Sequence, residues 1–402
     1  MRLSVPLLVR AILITGTALV LIQCGSSKAT TKRRGGETRV IRAEPVSTTP
    51  LYPTPAALNV PVEAAGINDT ARFLAGMPAI SGRDTFGSLR ETAAWKNHSL
   101  RMNSLWRDFE WRHGRPVSQW AHSEISDLQK SPAVFYPFSG PDFLFANVFF
   151  PYSETYLLCG LEPCDPLPDM RSLTEADIDN GLDALWSSLD TVLQFSYFIT
   201  KEMRQDFQSS RFRGVLPVFL VFMARTGHVV ESIDAVRLDD NGNPQVFAPT
   251  QNTVPGLLIR LTGPQGPKRV FYFTQNLSND ACKANGAFLR FSTSLGQPVA
   301  LAKSASYLMH ESYFSNVRNH ILVQCRGLVQ DPSGVPYRNL VERQNWKVNL
   351  YGNYQRVQDI FKEYEQPDLI QAQQAQGPRP LSFGIGYLNL PDTTSLMVGR
   401  RQ

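Results

Sequence analysis

The spacing of apolar residues changes along the chain, from mostly helical in the first half to strand-like in the second. Apolar residues recur every three or four positions in residues 87–113 and again in residues 175–195, which places them on one face of a helix. Ser172 and Glu175 fit a capping box at the start of the second helix. From Val229 onward, apolar runs flank turn residues such as Asn241-Gly242, a pattern that predicts β-hairpins.

Two short apolar runs in the first half predict a strand–helix–strand unit. Residues 133–138 and 155–161 have the length of buried strands, and residues 143–150 between them form a short helix that Pro151 ends. This order is typical of a βαβ unit. Further helices are predicted at residues 200–208, 214–224, 280–288, 301–310 and 314–321, and further strands at 322–329, 347–351 and 381–388. Together they predict one globular domain over residues 71–402, of the α/β or α+β class, with a mixed central sheet flanked by helices.

The best candidate for a ligand site is the segment between the first strand and the short helix. Tyr136, Ser139, Gly140 and Asp142 would lie at the carboxyl end of a strand and the N-terminus of a helix. Open α/β sheets usually bind ligands at that position, and helix N–H groups favour an anion there. The alternative is purely structural: Ser139 caps the helix and Asp142 stabilises its first turn.

A catalytic role would need these residues to meet a base. Ser139 or Asp142 could pair with a distant histidine, His228, which has Glu231 three residues on. The chain lacks the Gly-x-Ser-x-Gly motif of the hydrolases, and a histidine after a helix more often bonds to its last carbonyls. His310-Glu311 matches half of the His-Glu-x-x-His metal motif, but the second ligand position is not a histidine. No metal and no cofactor are therefore predicted.

The N-terminus has the layout of a secretory signal. Arg2 and Arg10 precede an apolar run over residues 11–22. That run of 12 residues is too short to cross a bilayer, which needs about 20 residues of helix. Residues 1–23 are therefore predicted to be a signal peptide.

The end of this signal, Leu21-Ile22-Gln23-Cys24-Gly25, resembles the lipobox of bacterial lipoproteins, with Ile22 and Gln23 standing where that family prefers small residues. The resemblance covers this segment alone. It implies that Cys24 carries acyl chains such as palmitate and becomes the first residue of the mature protein. It also implies a place in the bacterial cell envelope, with the domain facing the periplasm or the exterior. Gly25, rather than an aspartate, favours the outer membrane by the same resemblance.

Residues 24–70 are predicted to form a disordered tether. Lys and Arg are frequent up to Arg42, and prolines are frequent between residues 44 and 66. Residues 1–42 carry eight Lys or Arg and one acid, whereas the remaining 32 basic and 34 acidic residues give a net charge of −2. The globular part is thus nearly neutral, which argues against a nucleic-acid partner. The predicted partners are the membrane, through the lipid, and an envelope protein or glycan.

Four cysteines remain after Cys24. An even number in an oxidising compartment predicts disulfides. Proximity in sequence favours Cys159–Cys164, which leaves Cys282–Cys325. The alternative is four buried thiols.

Two classes of function fit these features. The first is a binding or scaffolding protein of the envelope, held by its lipid and without catalysis. The second is a hydrolase-like periplasmic enzyme that uses the Ser139 and Asp142 region. The two differ in whether the fold brings a histidine to that region inside a cleft.

Overall fold

The computed structural model describes residues 51–52, 64–80, 84–198, 211–249, 254–284, 286–377 and 379–402. The helix predicted at residues 200–208, the signal peptide and Cys24 lie outside the described residues. The described α-helices are α1 (Ala65–Leu74), α2 (Gly87–Arg90), α3 (Ala93–Phe109), α4 (Arg115–Glu124), α5 (Phe143–Phe149), α6 (Glu175–Phe195), α7 (Leu216–Arg225), α8 (Asn279–Ala284), α9 (Ala287–Ser294), α10 (Ser315–Gln324), α11 (Tyr337–Val341) and α12 (Pro367–Gln376). A π-helical turn, Glu110–Gly114, joins α3 to α4.

One sheet of ten strands runs through the domain. Its strands are β1 (Ala133–Tyr136), β2 (Thr155–Gly160), β3 (Val229–Leu238), β4 (Pro244–Val246), β5 (Gly256–Gly263), β6 (Gly266–Thr274), β7 (Val299–Ala302), β8 (Gly327–Gln330), β9 (Trp346–Gly352) and β10 (Ser395–Arg401). Their order is β4-β3-β5-β6-β2-β1-β7-β8-β10-β9. The five central strands, from β6 to β8, are parallel to one another, and antiparallel strands extend the sheet on both sides.

Both faces of the central strands are buried, because a hydrophobic core covers each side of the sheet. On β1, Val134 and Tyr136 belong to one core and Phe135 to the other. On β2, Tyr156 and Leu157 divide in the same way. Successive side chains of a strand point to opposite faces, so short runs without polar residues are what this position in a sheet requires.

The predicted fold class is confirmed: the domain is a mixed α/β fold with one mixed sheet and flanking helices. The βαβ unit is also confirmed, since β1 and β2 are parallel neighbours joined through α5. The capping box differs in detail, because Thr174 is the N-cap of α6 and its partner is Asp177.

Two predicted elements in the second half are wrong. The helix predicted at residues 301–310 begins instead with the end of β7, a central strand. The strand predicted at residues 381–388 is irregular, and the last strand lies further on, at β10. In both places a short apolar run was compatible with either helix or strand, and the sheet decides which one forms.

Among the residues that the structure describes, none of the helices combines the length and the apolar character that crossing a membrane demands.

Candidate functional site

The sheet has a topological switch point between β1 and β7. From β1 the chain moves to one side, through β2 and later β6, and it returns on the other side of β1 with β7 and β8. The loops that follow β1 and β7 therefore leave the sheet in opposite directions. In open α/β sheets the crevice at the carboxyl ends of two such strands is the usual place for a site.

A buried ion pair occupies this position. Asp142 follows β1, Lys303 follows β7, and the Asp142 Oδ2 and Lys303 Nζ atoms lie 2.9 Å apart with side chains only 1% and 3% exposed. Tyr136 Oη donates to Asp142 Oδ2 at 2.9 Å, and Asp142 Oδ1 accepts the backbone N–H of Phe145 at 3.0 Å. Asp142 is thus the N-cap of α5 and the partner of a lysine at the same time.

Lys303 has two further contacts that hold it in place. Its Nζ donates to the backbone carbonyl of Ser196, the residue that ends α6, and lies 4.4 Å from the centre of the Phe145 ring. A charge so deeply buried is tolerated because an opposite charge, a carbonyl and an aromatic face replace its hydration. The pair therefore ties β1, β7 and α6 together.

A second buried carboxylate, Asp331, follows β8 on the same edge of the sheet. It accepts the N–H of Ser304 at 2.9 Å and that of Ser333 at 3.0 Å, and the Ser333 hydroxyl also bonds to it. Burial raises the pKa of Asp331, although these hydrogen bonds and the charge of Lys303 oppose the shift. Burial, with the charges of Asp142 and Asp331, raises the pKa of Tyr136 well above its usual value.

Backbone strain is concentrated around this cluster. Non-glycine residues rarely adopt positive φ, which costs of order 1–3 kcal/mol each and is often found at functional sites. In the described part of the chain every such residue follows β1 or β7 or ends α6: Phe138 (58°), Ser196 (66°), Ser304 (51°), Ser306 (51°) and Tyr307 (56°). The loops at the switch point therefore contain several residues in a strained backbone conformation, which the surrounding contacts must stabilise.

Residues 383–388, which we call the cover segment, pack on the loops that follow β7 and β8. Gly386 has a φ of 75°, and a Cβ there would collide with the Asp331 carboxylate, so only glycine fits. Tyr387 Oη donates to the carbonyl of Ser304 at 3.0 Å and accepts the N–H of Ser306 at 3.1 Å. The cover segment thus packs directly on the strained loop after β7.

His113, in the π-helical turn, joins the cover segment to the end of α6. Its Nδ1 lies 3.0 Å from the Gly384 carbonyl oxygen, and its Nε2 lies 3.1 Å from that of Gln194. The Gly386 N–H donates to the Ser196 hydroxyl at 2.9 Å and makes a second link between the two segments. Burial lowers the pKa of His113.

The structure places the predicted ligand-site residues together, but their polar groups bond to other residues of the chain. Tyr136 and Asp142 belong to the ion-pair cluster. Ser139 does not cap α5, as its hydroxyl donates to the Gly140 and Cys159 carbonyls at 2.8 and 3.2 Å and accepts the Cys159 N–H at 3.2 Å. Gly140 supplies a turn with a φ of 55°. The place predicted for a bound anion is taken by the chain's own carboxylate, Asp142.

The histidine of the catalytic alternative contacts this segment through Phe143, the residue after Asp142. His228 Nδ1 bonds to the Thr226 hydroxyl at 2.8 Å, its ring packs edge-on against Phe143, and its Nε2 has no partner among the described residues. Burial lowers its pKa to about 3, so it stays neutral. Glu231 bonds instead to Thr262. The structure gives His228 no hydrogen bond to Ser139 or Asp142, so it provides no base for either.

The structure contradicts the predicted disulfides, because Cys159, Cys164, Cys282 and Cys325 are all free, buried thiols. Cys159 and Cys164 belong to the cores on opposite faces of the sheet, so their nearness in sequence does not bring them together. Cys282 Sγ faces the Leu277 carbonyl beside its own helix, at 3.6 Å. Burial raises the pKa of Cys159 and Cys164 to about 12, which leaves both as unreactive thiols.

Lys303 and Asp331 are the two site residues that the sequence prediction missed. Each comes directly after a four-residue strand at the centre of the sheet, β7 or β8. The run Val299–Ala302, followed at once by a lysine and a serine, was the available signal, because it has the length of a buried strand that ends at a polar edge. The helix predicted over residues 301–310 concealed it.

A cavity of about 660 Å³ lies away from the switch point, among α1, the start of α7 and the antiparallel strands β3 and β5. That volume lies within the range of small-molecule sites. Most of the lining is apolar, and its larger aliphatic and aromatic side chains are those of Ile67, Phe86, Leu167, Met170, Leu216, Ile233, Val254 and Leu257. Asp169 and Arg171 are the charged residues among those described in the lining, and they bond to each other at 3.0 and 3.2 Å.

The fold and the site thus define a mixed α/β domain with a closed polar cluster at its switch point and a separate apolar cavity. No protein-family model matches this chain, and no curated protein sequence matches it either.

Proposed function

We propose that this protein is an exported, lipid-anchored binding protein of the bacterial envelope, and that its ligand is a small, uncharged, apolar molecule held in the cavity. The cavity carries the proposal, because its size suits a ligand and its lining offers apolar contact. Of the polar groups in the lining, Thr70 donates to the Gly66 carbonyl, Cys164 contacts the Thr274 hydroxyl, and Asp169 and Arg171 pair with each other. A charged ligand would find no partner inside and would lose its hydration.

The polar cluster supports binding without catalysis. Asp142 and Lys303 form an ion pair, and the Ser139 hydroxyl donates to backbone carbonyls. The described hydrogen bonds place no histidine on Ser139 or Asp142. We therefore assign the cluster a structural role, which is to hold the loops at the switch point.

Filling the cavity should abolish ligand binding. Ile233 lies on β3 and lines the cavity, so Ile233→Trp places an indole ring in the space that a ligand would occupy. We expect N-phenyl-1-naphthylamine, an uncharged apolar fluorophore, to bind the wild-type chain with a blue-shifted, enhanced emission, and its affinity to fall at least about tenfold in the variant. Fluorescence titration measures both affinities.

The matched control is Val246→Trp, the same side chain introduced at an exposed position on the neighbouring strand β4. It should bind the probe like the wild type. Both variants are first checked for unchanged cooperative unfolding. Equal affinity in the Ile233→Trp variant, or no probe binding by the wild type, would contradict the proposed cavity site.

Membrane attachment should depend on Cys24. With Cys24→Ser the acyl chains cannot be added, so the chain should lose the apolar group through which a detergent micelle retains it. We expect the wild-type chain to partition into the detergent phase of a Triton X-114 extract and the variant into the aqueous phase. Cys164→Ser, which alters a buried thiol of the domain, is the control and should partition like the wild type. A Cys24→Ser chain that stays in the detergent phase would contradict the lipid anchor.

A further inference from the structure

The lining of the apolar cavity is buried in one part and exposed in another. We call the buried members the floor: they are at most 7% exposed and comprise Phe86, Cys164, Met170, Leu216, Val254 and Leu257. We call the exposed members the rim: they are Gly66, Thr85, Pro166, Asp169, Arg171 and Pro249. Because the rim is where the lining meets solvent, one end of a bound molecule stays close to water while the rest is enclosed.

Polar and apolar groups follow the same division. The floor offers apolar side chains, and its thiol, Cys164, already faces the Thr274 hydroxyl at 3.5 Å. The charged residues among those described in the lining are both at the rim, where the Asp169 and Arg171 side chains are 55% and 71% exposed. Met170, which lies between them in sequence, is only 3% exposed and belongs to the floor. The charged pair therefore stands at the entrance to an apolar space.

The Asp169–Arg171 pair is held in one geometry. Arg171 Nε and Nη2 donate to the two carboxylate oxygens of Asp169 at 3.0 and 3.2 Å, which is the bidentate arrangement that a guanidinium favours. The same carboxylate accepts the backbone N–H of Arg171 at 3.1 Å. These hydrogen bonds from Arg171 lower the pKa of Asp169, so this carboxylate is ionised at neutral pH. The rim thus presents one negative and one positive charge that are paired with each other.

The size of the cavity limits the ligand to one apolar body. A dry apolar cavity of about 150 Å³ holds one benzene molecule, so a volume of about 660 Å³ gives room for roughly 25 carbon atoms. One alkyl chain or a few fused rings fit into that space, whereas the two long acyl chains of a phospholipid do not.

We propose that the ligand is a single-chain amphiphile with an uncharged polar head, and that it binds with its chain on the floor and its head at the rim beside Asp169 and Arg171. The inference rests on the proposed cavity site and deepens it by naming the class and the orientation of the ligand. In this orientation the head stays hydrated, whereas the reverse orientation would bury it among apolar side chains. A charged head is disfavoured, because it meets a like charge at the rim and finds the opposite charge already paired.

Displacement of N-phenyl-1-naphthylamine by ligands of equal chain length and different heads tests this inference. Decyl maltoside has an uncharged head that cannot enter the cavity together with its chain, decanoate has an anionic head, and decyltrimethylammonium has a cationic one. All are used below their micelle concentrations. We expect decyl maltoside to displace the probe from the wild-type chain, and the two charged ligands to bind at least about threefold more weakly. Titration calorimetry should detect no binding of decyl maltoside to the Ile233→Trp variant, because the indole ring takes the place of the chain.

Two substitutions change the charge at the rim in opposite directions. Asp169→Asn leaves Arg171 without its carboxylate and should tighten decanoate binding about two- to fivefold, and Arg171→Gln should do the same for decyltrimethylammonium. Both gains should disappear in about 1 M salt, which screens exposed charges, and decyl maltoside should bind both variants like the wild type. The matched control is Asp280→Asn, in an exposed ion pair with Lys283 on α8, and it should change none of these affinities.

Each part of the inference has a result that would overturn it. Displacement of the probe by 1-decanol but not by decyl maltoside would show that the whole ligand must enter, and it would rule out a head at the rim. Equal affinities for all three heads, in the wild type and in both rim variants, would rule out the selection of an uncharged head. In either case, probe binding that Ile233→Trp abolishes would leave the proposed cavity site standing. Absence of probe binding by the wild type would overturn the cavity site and this inference together.

Discussion

Lys303→Met should lower the free energy of unfolding by about 3–5 kcal/mol, because it leaves Asp142 as a buried carboxylate without its counter-charge. The methionine keeps most of the volume of the lysine stem, so the loss reports the charge and not a cavity. Urea denaturation followed by circular dichroism measures it. We expect the change in the denaturation midpoint without a change in the slope.

Two further variants test the cause of this loss of stability, one as a control and one as a rescue. Lys96→Met removes an exposed ion pair with Glu91 at 2.9 Å and should cost less than about 1 kcal/mol. Adding Asp142→Asn to Lys303→Met should restore part of the lost stability, since the amide carries no charge and can still accept the Phe145 N–H. A Lys303→Met chain as stable as the Lys96→Met chain would show that the buried pair contributes little.

Mild acid should unfold the protein. Burial lowers the pKa of His228 to about 3 and that of His98, His310 and His320 to about 4. In an unfolded chain the histidines have a pKa near 6.5. Below that pH the unfolded chain therefore binds more protons than the folded chain does. These histidines therefore leave the free energy of unfolding at its highest above pH 6.5 and lower it as the pH drops towards 4. The four histidines together give at most about 5 kcal/mol per pH unit, which is comparable to the whole stability of many domains.

Free energies of unfolding measured between pH 7.5 and 4.5 test this. His228→Gln should reduce the slope below pH 6.5 by about 1.4 kcal/mol per pH unit. His122→Gln, at an exposed position, should leave the slope unchanged. Asp331, whose pKa burial raises, acts in the opposite direction and limits the loss at the acidic end. Stability that is independent of pH between 7 and 5 would contradict the prediction.

The fold class followed from the sequence because its strongest signals are local. The hairpin of β3 and β4 was predicted from Asn241-Gly242, and α6 from its apolar stripe. β7 could not be predicted in the same way. A run of four apolar residues has no period of its own, and β7 becomes a strand because β1 and β8 bond to it on both sides. Such strands are decided by contacts with distant parts of the sequence.

The candidate site was predicted in part for the same reason. Tyr136, Ser139, Gly140 and Asp142 lie within one loop, so the sequence could show them as a group. Their partners Lys303 and Asp331 come from two other strands, and only the strand order brings them to the same edge. The disulfide prediction failed through the opposite error. It took a short distance along the chain for a short distance in space, although the sheet separates Cys159 from Cys164.

The position of β10 has a consequence for when the sheet can be completed during synthesis. Ser395–Arg401 lies between β8 and β9 and bonds to both, so β9 has no strand neighbour until these residues arrive. While the ribosome is still making the chain, the edge of the sheet formed by β8, β10 and β9 is incomplete. A strand without its neighbouring strands cannot hold a stable tertiary structure. Pairing of β9 and β10 should therefore be a late step, which completes this edge of the sheet only after the rest of the domain has been made.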